Sequence, residues 1–367
     1  MDSVTQIVLG GAVGYAVLGD KVGRKAAIYG AVLGTVPDLD VFLPYGGSVE
    51  EFTYHRGFSH SVLMQLLISP IIAWLIVKCH PATYVYRRAW FYLVFLCFST
   101  HSLLDSFTVY GTQLLWPITE YPFGLSNLFI IDPLYTLPLL IGFLYVLLVK
   151  QNTGNKLTAQ TVEHRTSDKL RSNIRASKIN SIALTVSTIY VVWSIVAKVY
   201  IDNTVSAALA QRQINGVLYL STPAPFTTLL WRVLVMTDTE YYEGYVSVFD
   251  DANNVTLYAN TSSDSLLNSI SDKWEVERLQ WFTKGFYGVS QNTQQQVILS
   301  DLRMGSECNY VFNFVVGEQT NAGVVAGSFE KLNTQPDISS LGSIWDRIFD
   351  PNVSLIAAKQ NGVCLDE

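Results

Sequence analysis

The sequence predicts an α-helical polytopic membrane domain over residues 1–200, followed by a small extracytoplasmic α+β domain over residues 201–367. Three observations carry this. The first 200 residues hold about six long apolar segments, of which the first two are short. Charge divides at the same place, with 15 Lys/Arg against 11 Asp/Glu before it and 9 against 19 after it. The hydrophobic pattern also changes period beyond Val199. With 49% hydrophobic and only 15% charged residues and a net charge of −6, a single ordinary soluble domain is excluded, and no basic surface suggests contact with nucleic acid.

Each segment can be judged against the ~20 apolar residues that cross a bilayer core. Ser61–Val77, Ala89–Leu104, Ile131–Val149 and Ile179–Val199 approach that length. Val4–Gly19 is Gly-rich, and Ala26–Val36 stops before Pro37, so these two are either short tilted spans or a re-entrant pair. Six crossings is the working expectation, and four plus a re-entrant hairpin the alternative. With six, the loops 20–25, 78–88 and 150–178 share one side and carry 13 Lys/Arg, whereas the loops 37–60 and 105–130 carry Arg56 alone. A Lys/Arg excess marks the cytoplasm, so both termini are expected outside it, with 150–178 a cytoplasmic basic loop lying on anionic lipid. Met1-Asp2-Ser3 lacks a basic n-region, so no removable signal peptide is expected.

This topology sorts nearly all the chemically interesting side chains onto the outer face. Asp38 and Asp40 end the second segment, His55 and His60 precede the third, and His101 and Asp105 end the fourth. His101 and Asp105 are four residues apart, which in a helix puts them on one face a turn apart. Gly57, between His55 and His60, lets the backbone bend so that both rings can converge. Imidazole and carboxylate together suit Zn²⁺ first, with Mn²⁺ or Fe²⁺ as alternatives, and ionisable groups at membrane depth call for a function. The ordinary readings are a turn with a helix cap for Pro37-Asp-Leu-Asp40 and an interfacial role for a lone His; Asp2 and Asp132 suit helix amino termini equally well.

The same residues carry a family resemblance. Met1-Asp-Ser-Val-Thr-Gln6, Gly34-Thr-Val-Pro-Asp-Leu-Asp40, Tyr54-His-Arg-Gly-Phe-Ser-His-Ser61, Thr100-His-Ser-Leu-Leu-Asp105 and Tyr110-Gly-Thr-Gln-Leu-Leu-Trp-Pro117 resemble the bacterial inner-membrane metal-dependent hydrolase family, the YdjM-like group. The match covers roughly residues 1–150, continuing more loosely through Pro223-Ala-Pro-Phe226, Leu230-Trp-Arg232 and Trp281-Phe-Thr-Lys-Gly285. It implies an inner-membrane location and a metal at His55, His60, His101 and the Asp38, Asp40 and Asp105 carboxylates. It implies no particular substrate. Gln6 stands where related branches are expected to have His, and Tyr15 where an acidic residue is expected, so the first segment gains no assigned ligand.

The chemistry expected of such a site is hydrolysis by a metal-activated water. Asp40 would orient a His or accept the proton, and Arg56 would either stabilise an anionic transition state or anchor a headgroup. Membrane lipids are the expected partners, and a phosphoester or lipid-like molecule the expected substrate. The competing class is a non-enzymatic membrane protein with a structural or ion-handling metal and a partner-binding outer domain. No His-Glu-x-x-His, Gly-x-Ser-x-Gly or phosphate-loop motif is present. In the acidic half, Tyr245–Asp250 and Val255–Asn260 alternate like a hairpin around Asp251-Ala-Asn-Asn254, Ser265–Thr283 has helical spacing, and Val297–Leu302 and Tyr310–Gly317 return to strand composition. Cys308 and Cys364 are expected outside the cytoplasm, where a disulfide between them could persist.

Overall fold

A computed structural model of the chain describes residues 1–149, 159–214, 217–238, 240–334 and 341–356, together with short strands at 359–360 and 363–364. The chain divides into two units: Met1–Phe42, Arg56–Gly124 and Ile130–Trp193 form the first, and Leu43–His55, Leu125–Phe129 and Ser194–Glu367 the second.

The first unit is helical. Asp2 caps α1 (Ser3–Val22) by accepting from the Thr5 amide, and Gly23, at φ 64°, turns the chain into α2 (Arg24–Leu33). The two helices meet backbone to backbone: a Cβ on Gly10 would lie 2.3 Å from the Gly30 carbonyl oxygen, and one on Gly14 2.5 Å from that of Ala26. Small residues at this spacing let helices approach closely. After α4 (Val62–Cys79) and a 3₁₀ turn at Pro81–Tyr86 comes α5 (Arg87–Ser106), and Ala73, Ile76 and Val77 pack against Trp90, Leu93 and Val94 between them. α6 (Pro133–Leu148) is capped by Asp132, which accepts from the Leu134 and Tyr135 amides. The short helix α3 (Ser48–Tyr54) belongs to the second unit.

The expectation of about six apolar crossings is overturned, along with the alternative of four plus a re-entrant pair. Two helices among the described residues are long and apolar enough to cross a membrane: α4 and the Ser172–Gln211 part of α7 (Ala159–Gln211). The physical reasons differ by segment. α6 has 16 residues and reaches only about 24 Å, short of a core of ~30 Å. α1 and α5 have 20 residues each, but α1 is glycine-rich and ends in Asp20-Lys21, whereas α5 begins with Arg87-Arg88 and ends in the polar run that contains His101 and Asp105. α2 has only 10 residues. The last apolar stretch does not stop at Val199, because no Gly or Pro occurs between Gly154 and Gly216 to end the helix. Of the expected cytoplasmic loop 150–178, residues 150–158 lie outside the described residues and 159–178 form the first turns of α7.

The second unit replaces the expected α+β domain with an all-β arrangement of two antiparallel sheets. The first has the order β1 (Leu218–Pro223), β2 (Leu230–Met236), β3 (Glu240–Ser247), β4 (Tyr258–Thr261). The second has the order β5 (Tyr287–Gln291), β6 (Gln296–Asp301), β7 (Asn313–Thr320), β8 (Gly323–Ala326). Beyond α7, the α-helices among the described residues are α8 (Trp274–Phe282) and α9 (Ser343–Phe349), and a two-residue pair, β9 (Lys359–Gln360) with β10 (Val363–Cys364), follows. β2 is buried on both faces: Trp231, Val233 and Val235 meet Ile201, Val205 and Leu209 at the end of α7, and Leu234 meets Phe286 and Leu302. Such a strand reads as a continuous apolar run, which period alone cannot separate from buried helix. Cys308 is disulfide-bonded; the side chain of its expected partner Cys364 lies outside those described. Cys79 and Cys97 are free.

Candidate metal centre

Three pieces of the first unit converge. A 3₁₀ turn at Pro37–Phe42 carries Asp38 and Asp40, a second at Phe58–His60 leads into α4, and the last turns of α5 carry His101 and Asp105. Pro37 starts the first turn with a fixed φ. Ser61 caps α4 by accepting from the Met64 amide and donates to the Trp116 carbonyl, which ties the second turn down.

One ligand atom from each of Asp38, His60, His101 and Asp105 lies within 4.8 Å of all the others. His60 Nε2 is 3.1 Å from His101 Nε2, 3.3 Å from Asp105 Oδ2 and 3.5 Å from Asp38 Oδ1. His101 Nε2 is 3.4 Å from Asp38 Oδ1 and 3.7 Å from Asp105 Oδ2. His60, His101 and Asp105 are fully buried, whereas the Asp38 side chain is 27% exposed. Burial works against a charge on His60, but the carboxylates of Asp105 and Asp38 outweigh it and raise the imidazole above its ordinary pKa. Burial likewise pushes the Asp38 carboxyl up, and hydrogen bonding to His101 and His60 more than reverses this, holding it below the usual range.

The surrounding groups fix which atoms face inward. His101 Nδ1 is 2.7 Å from the Gly34 carbonyl oxygen, which only accepts, so Nδ1 carries the proton. Ser59 Oγ donates to Asp40 Oδ2 at 2.7 Å and therefore accepts from His60 Nδ1 at 2.9 Å. With each Nδ1 turned to an acceptor, the two Nε2 atoms face each other 3.1 Å apart, beside the Asp38 and Asp105 carboxylates, a place that suits a shared proton or a cation. Asp105 Oδ1 accepts from Gln6 Nε2 at 2.9 Å and from the Met1 α-amine at 2.5 Å, while its buried Oδ2 makes no hydrogen bond and faces the imidazoles. Two imidazole nitrogens and two carboxylates, one with an orphaned oxygen, fit a divalent metal of the zinc class.

The remaining sequence candidates fall around this cluster. Asp40 accepts from the Arg56 amide at 3.0 Å as well as from Ser59. Arg56, buried and at φ 62°, brings Nε to 3.3 Å from Asp105 Oδ2 and lays its guanidinium over the Tyr110 ring at 5.0 Å. His55 closes α3 in the second unit and is not among the four converging residues. Asp2 and Asp132 serve as the helix caps described above, and His80 Nε2 pairs with the Tyr29 hydroxyl at 2.8 Å. Gln6, Gly34 and Ser59 are contributors that residue chemistry alone did not single out, although each lies inside one of the quoted motifs.

Comparison with known proteins gives the family of the chain. The family model described as "YdjM inner membrane protein" matches residues 1–201. A protein of Bacillus subtilis (strain 168), "Uncharacterized protein YfhP", is 32% identical over 143 residues, which are 36% of this chain and 42% of that protein. The chain thus spans less than half the length of that relative. No solved structure matches. The family match takes in every residue of the cluster and more than half of the chain, and the chain belongs to the YdjM inner membrane protein family.

Proposed function

We propose that the chain is a membrane-bound hydrolase that uses one or two divalent metals, Zn²⁺ before Mn²⁺ or Fe²⁺, held by Asp38, His60, His101 and Asp105. The observation that carries this reading is the convergence of those four side chains within 4.8 Å, with the two Nε2 atoms 3.1 Å apart and Asp105 Oδ2 3.3 Å from His60 Nε2. When bound, the metal would supply Lewis acidity that activates water near neutral pH. The chain's own groups do the positioning: Gly34 and Ser59 orient the imidazoles, Asp40 holds Ser59 and the Arg56 backbone, and Arg56 keeps Asp105 charged. Asp38, the one partly exposed member, marks the side by which substrate arrives, which favours a catalytic metal over an enclosed structural one.

The distribution of basic residues about α4 supports an extracytoplasmic site. Lys78, Arg87 and Arg88 lie at its carboxyl end and Arg56 alone at its amino end, beside the cluster. Arg175 and Lys178 precede most of the apolar part of α7, which supports the same side for the β unit; the Met1 amine shares the side of Asp105. A site at the edge of a bilayer suits a phosphoester or lipid-like substrate. Purified protein loaded with Zn²⁺ and given phosphodiester, phospholipid and peptide substrates should turn over the phosphoester or lipid, and lose that activity with a chelator and in His101→Ala. No metal-dependent turnover on any class would overturn the hydrolase reading.

A further inference from the structure

The carboxyl end of α4 and the start of α5 form a feature that the metal chemistry does not use. Between them runs a groove of about 420 Å³, walled by Ala73, Trp74, Val77 and Phe91 and flanked by Arg87 and Arg88. The helical spacing explains its shape. Ala73 and Val77 lie on one face of α4, while Arg87 with Phe91 and Arg88 with Tyr92 are pairs four residues apart on α5, so each cation stands one turn from an aromatic wall. The walls stay open: Trp74 is 59% and Tyr92 55% exposed.

Among the described residues no carboxylate pairs with Lys78, Arg87 or Arg88. Aromatic faces hold two of these cations in place, with Lys78 Nζ 5.2 Å from the Trp74 ring centre and the Arg87 guanidinium 4.9 Å from that of Tyr84. A cation on an aromatic face still presents its N–H donors at the edge, and the guanidinium fork matches phosphate oxygens in pairs.

We propose that this groove binds an anionic phospholipid, with an acyl chain along Trp74, Phe91 and Tyr92 and the phosphate on Arg87 and Arg88. The occupant follows from charge complementarity. An apolar slot on a helix that can cross the membrane, closed by cations, suits a molecule with a hydrocarbon tail and a negative head in one piece. Basic pockets between membrane helices are where such headgroups are held. The inference uses the membrane location and is independent of the hydrolase reading.

The test uses full-length, delipidated protein in detergent, titrated with phosphatidylglycerol or phosphatidylcholine and read by native mass spectrometry. Wild type should bind phosphatidylglycerol about 10-fold or more tightly than phosphatidylcholine, and the preference should weaken with added salt. Arg87→Gln with Arg88→Gln should bring the two lipids level, whereas Arg87→Lys with Arg88→Lys should keep part of the preference. Both arginines are exposed, and an unchanged denaturant-unfolding midpoint in the variants would show that the fold is intact. Equal binding of the two lipids by wild type, a preference surviving in the glutamine variant, or occlusion of the groove by a second copy without lipid would overturn the proposal.

Discussion

Each unit buries a cluster of ionisable groups, and the two clusters hold their charges in different ways. In the β unit, Glu243 accepts from Arg232 Nε at 2.6 Å through one oxygen, and from the Tyr310 hydroxyl at 3.0 Å and the Glu307 amide at 3.1 Å through the other. Burial first, and Glu243 second, push the Tyr310 phenol well above its ordinary pKa, so it remains a donor. In the helical unit, Asp105 has one oxygen hydrogen-bonded, while the other makes no hydrogen bond and faces Arg56 Nε and two imidazoles whose own outward nitrogens are already satisfied. Both clusters are buried, and both combine acids with bases. The difference teaches that the engagement of both carboxylate oxygens, more than burial or charge, separates the Glu243 network from the candidate site.

Substitutions in the two clusters should therefore break different things. His60→Ala or His101→Ala should lower metal affinity by more than about 100-fold, beyond the loss typical of a supporting residue, as measured by metal content after desalting. The β unit should unfold as before. Glu243→Gln should do the reverse. It leaves Arg232 buried without its countercharge, which costs about 3–5 kcal/mol, read in denaturant unfolding of the full chain, with metal content unchanged. If Glu243→Gln released metal, or His101→Ala unfolded the β unit, the contrast between the clusters would fail.

The sequence disclosed the candidate site more fully than the fold. Asp38, His60, His101 and Asp105 could be picked out because ionisable residues stand out against apolar surroundings and because a four-residue spacing fixes a helical face. His55 was grouped with them by proximity in sequence, yet Arg56 at positive φ lies where the chain passes from one unit to the other. The count of crossings failed because apolar composition records burial in lipid and burial in protein alike. The glycine contact that draws α1 onto α2 depends on pairs such as Gly10 and Gly30, whose proximity no local pattern reports. In the acidic half, β2 was missed for the related reason that a strand covered on both faces loses its alternation.

Smaller effects should sharpen the picture of what supports the cluster. Ser59→Ala and Asp40→Asn each disturb the chain of hydrogen bonds that orients His60, and should weaken metal binding by about 10–100-fold, measured by competition with a chromophoric chelator. Arg56→Lys, which keeps a positive charge near Asp105 but loses the fork, should weaken binding by less than about 10-fold. A larger loss for Arg56→Lys than for Asp40→Asn would assign Arg56 a role closer to the metal than the positioning one described.

The account rests on two imidazoles meeting at one metal. X-ray absorption at the zinc edge of full-length, Zn²⁺-loaded protein should show nitrogen and oxygen neighbours only, with outer-shell scattering from about two imidazoles in wild type and from one fewer in any zinc retained by His101→Ala. A spectrum with no imidazole scattering, or one identical in wild type and His101→Ala, would contradict the assignment of His60 and His101 as ligands.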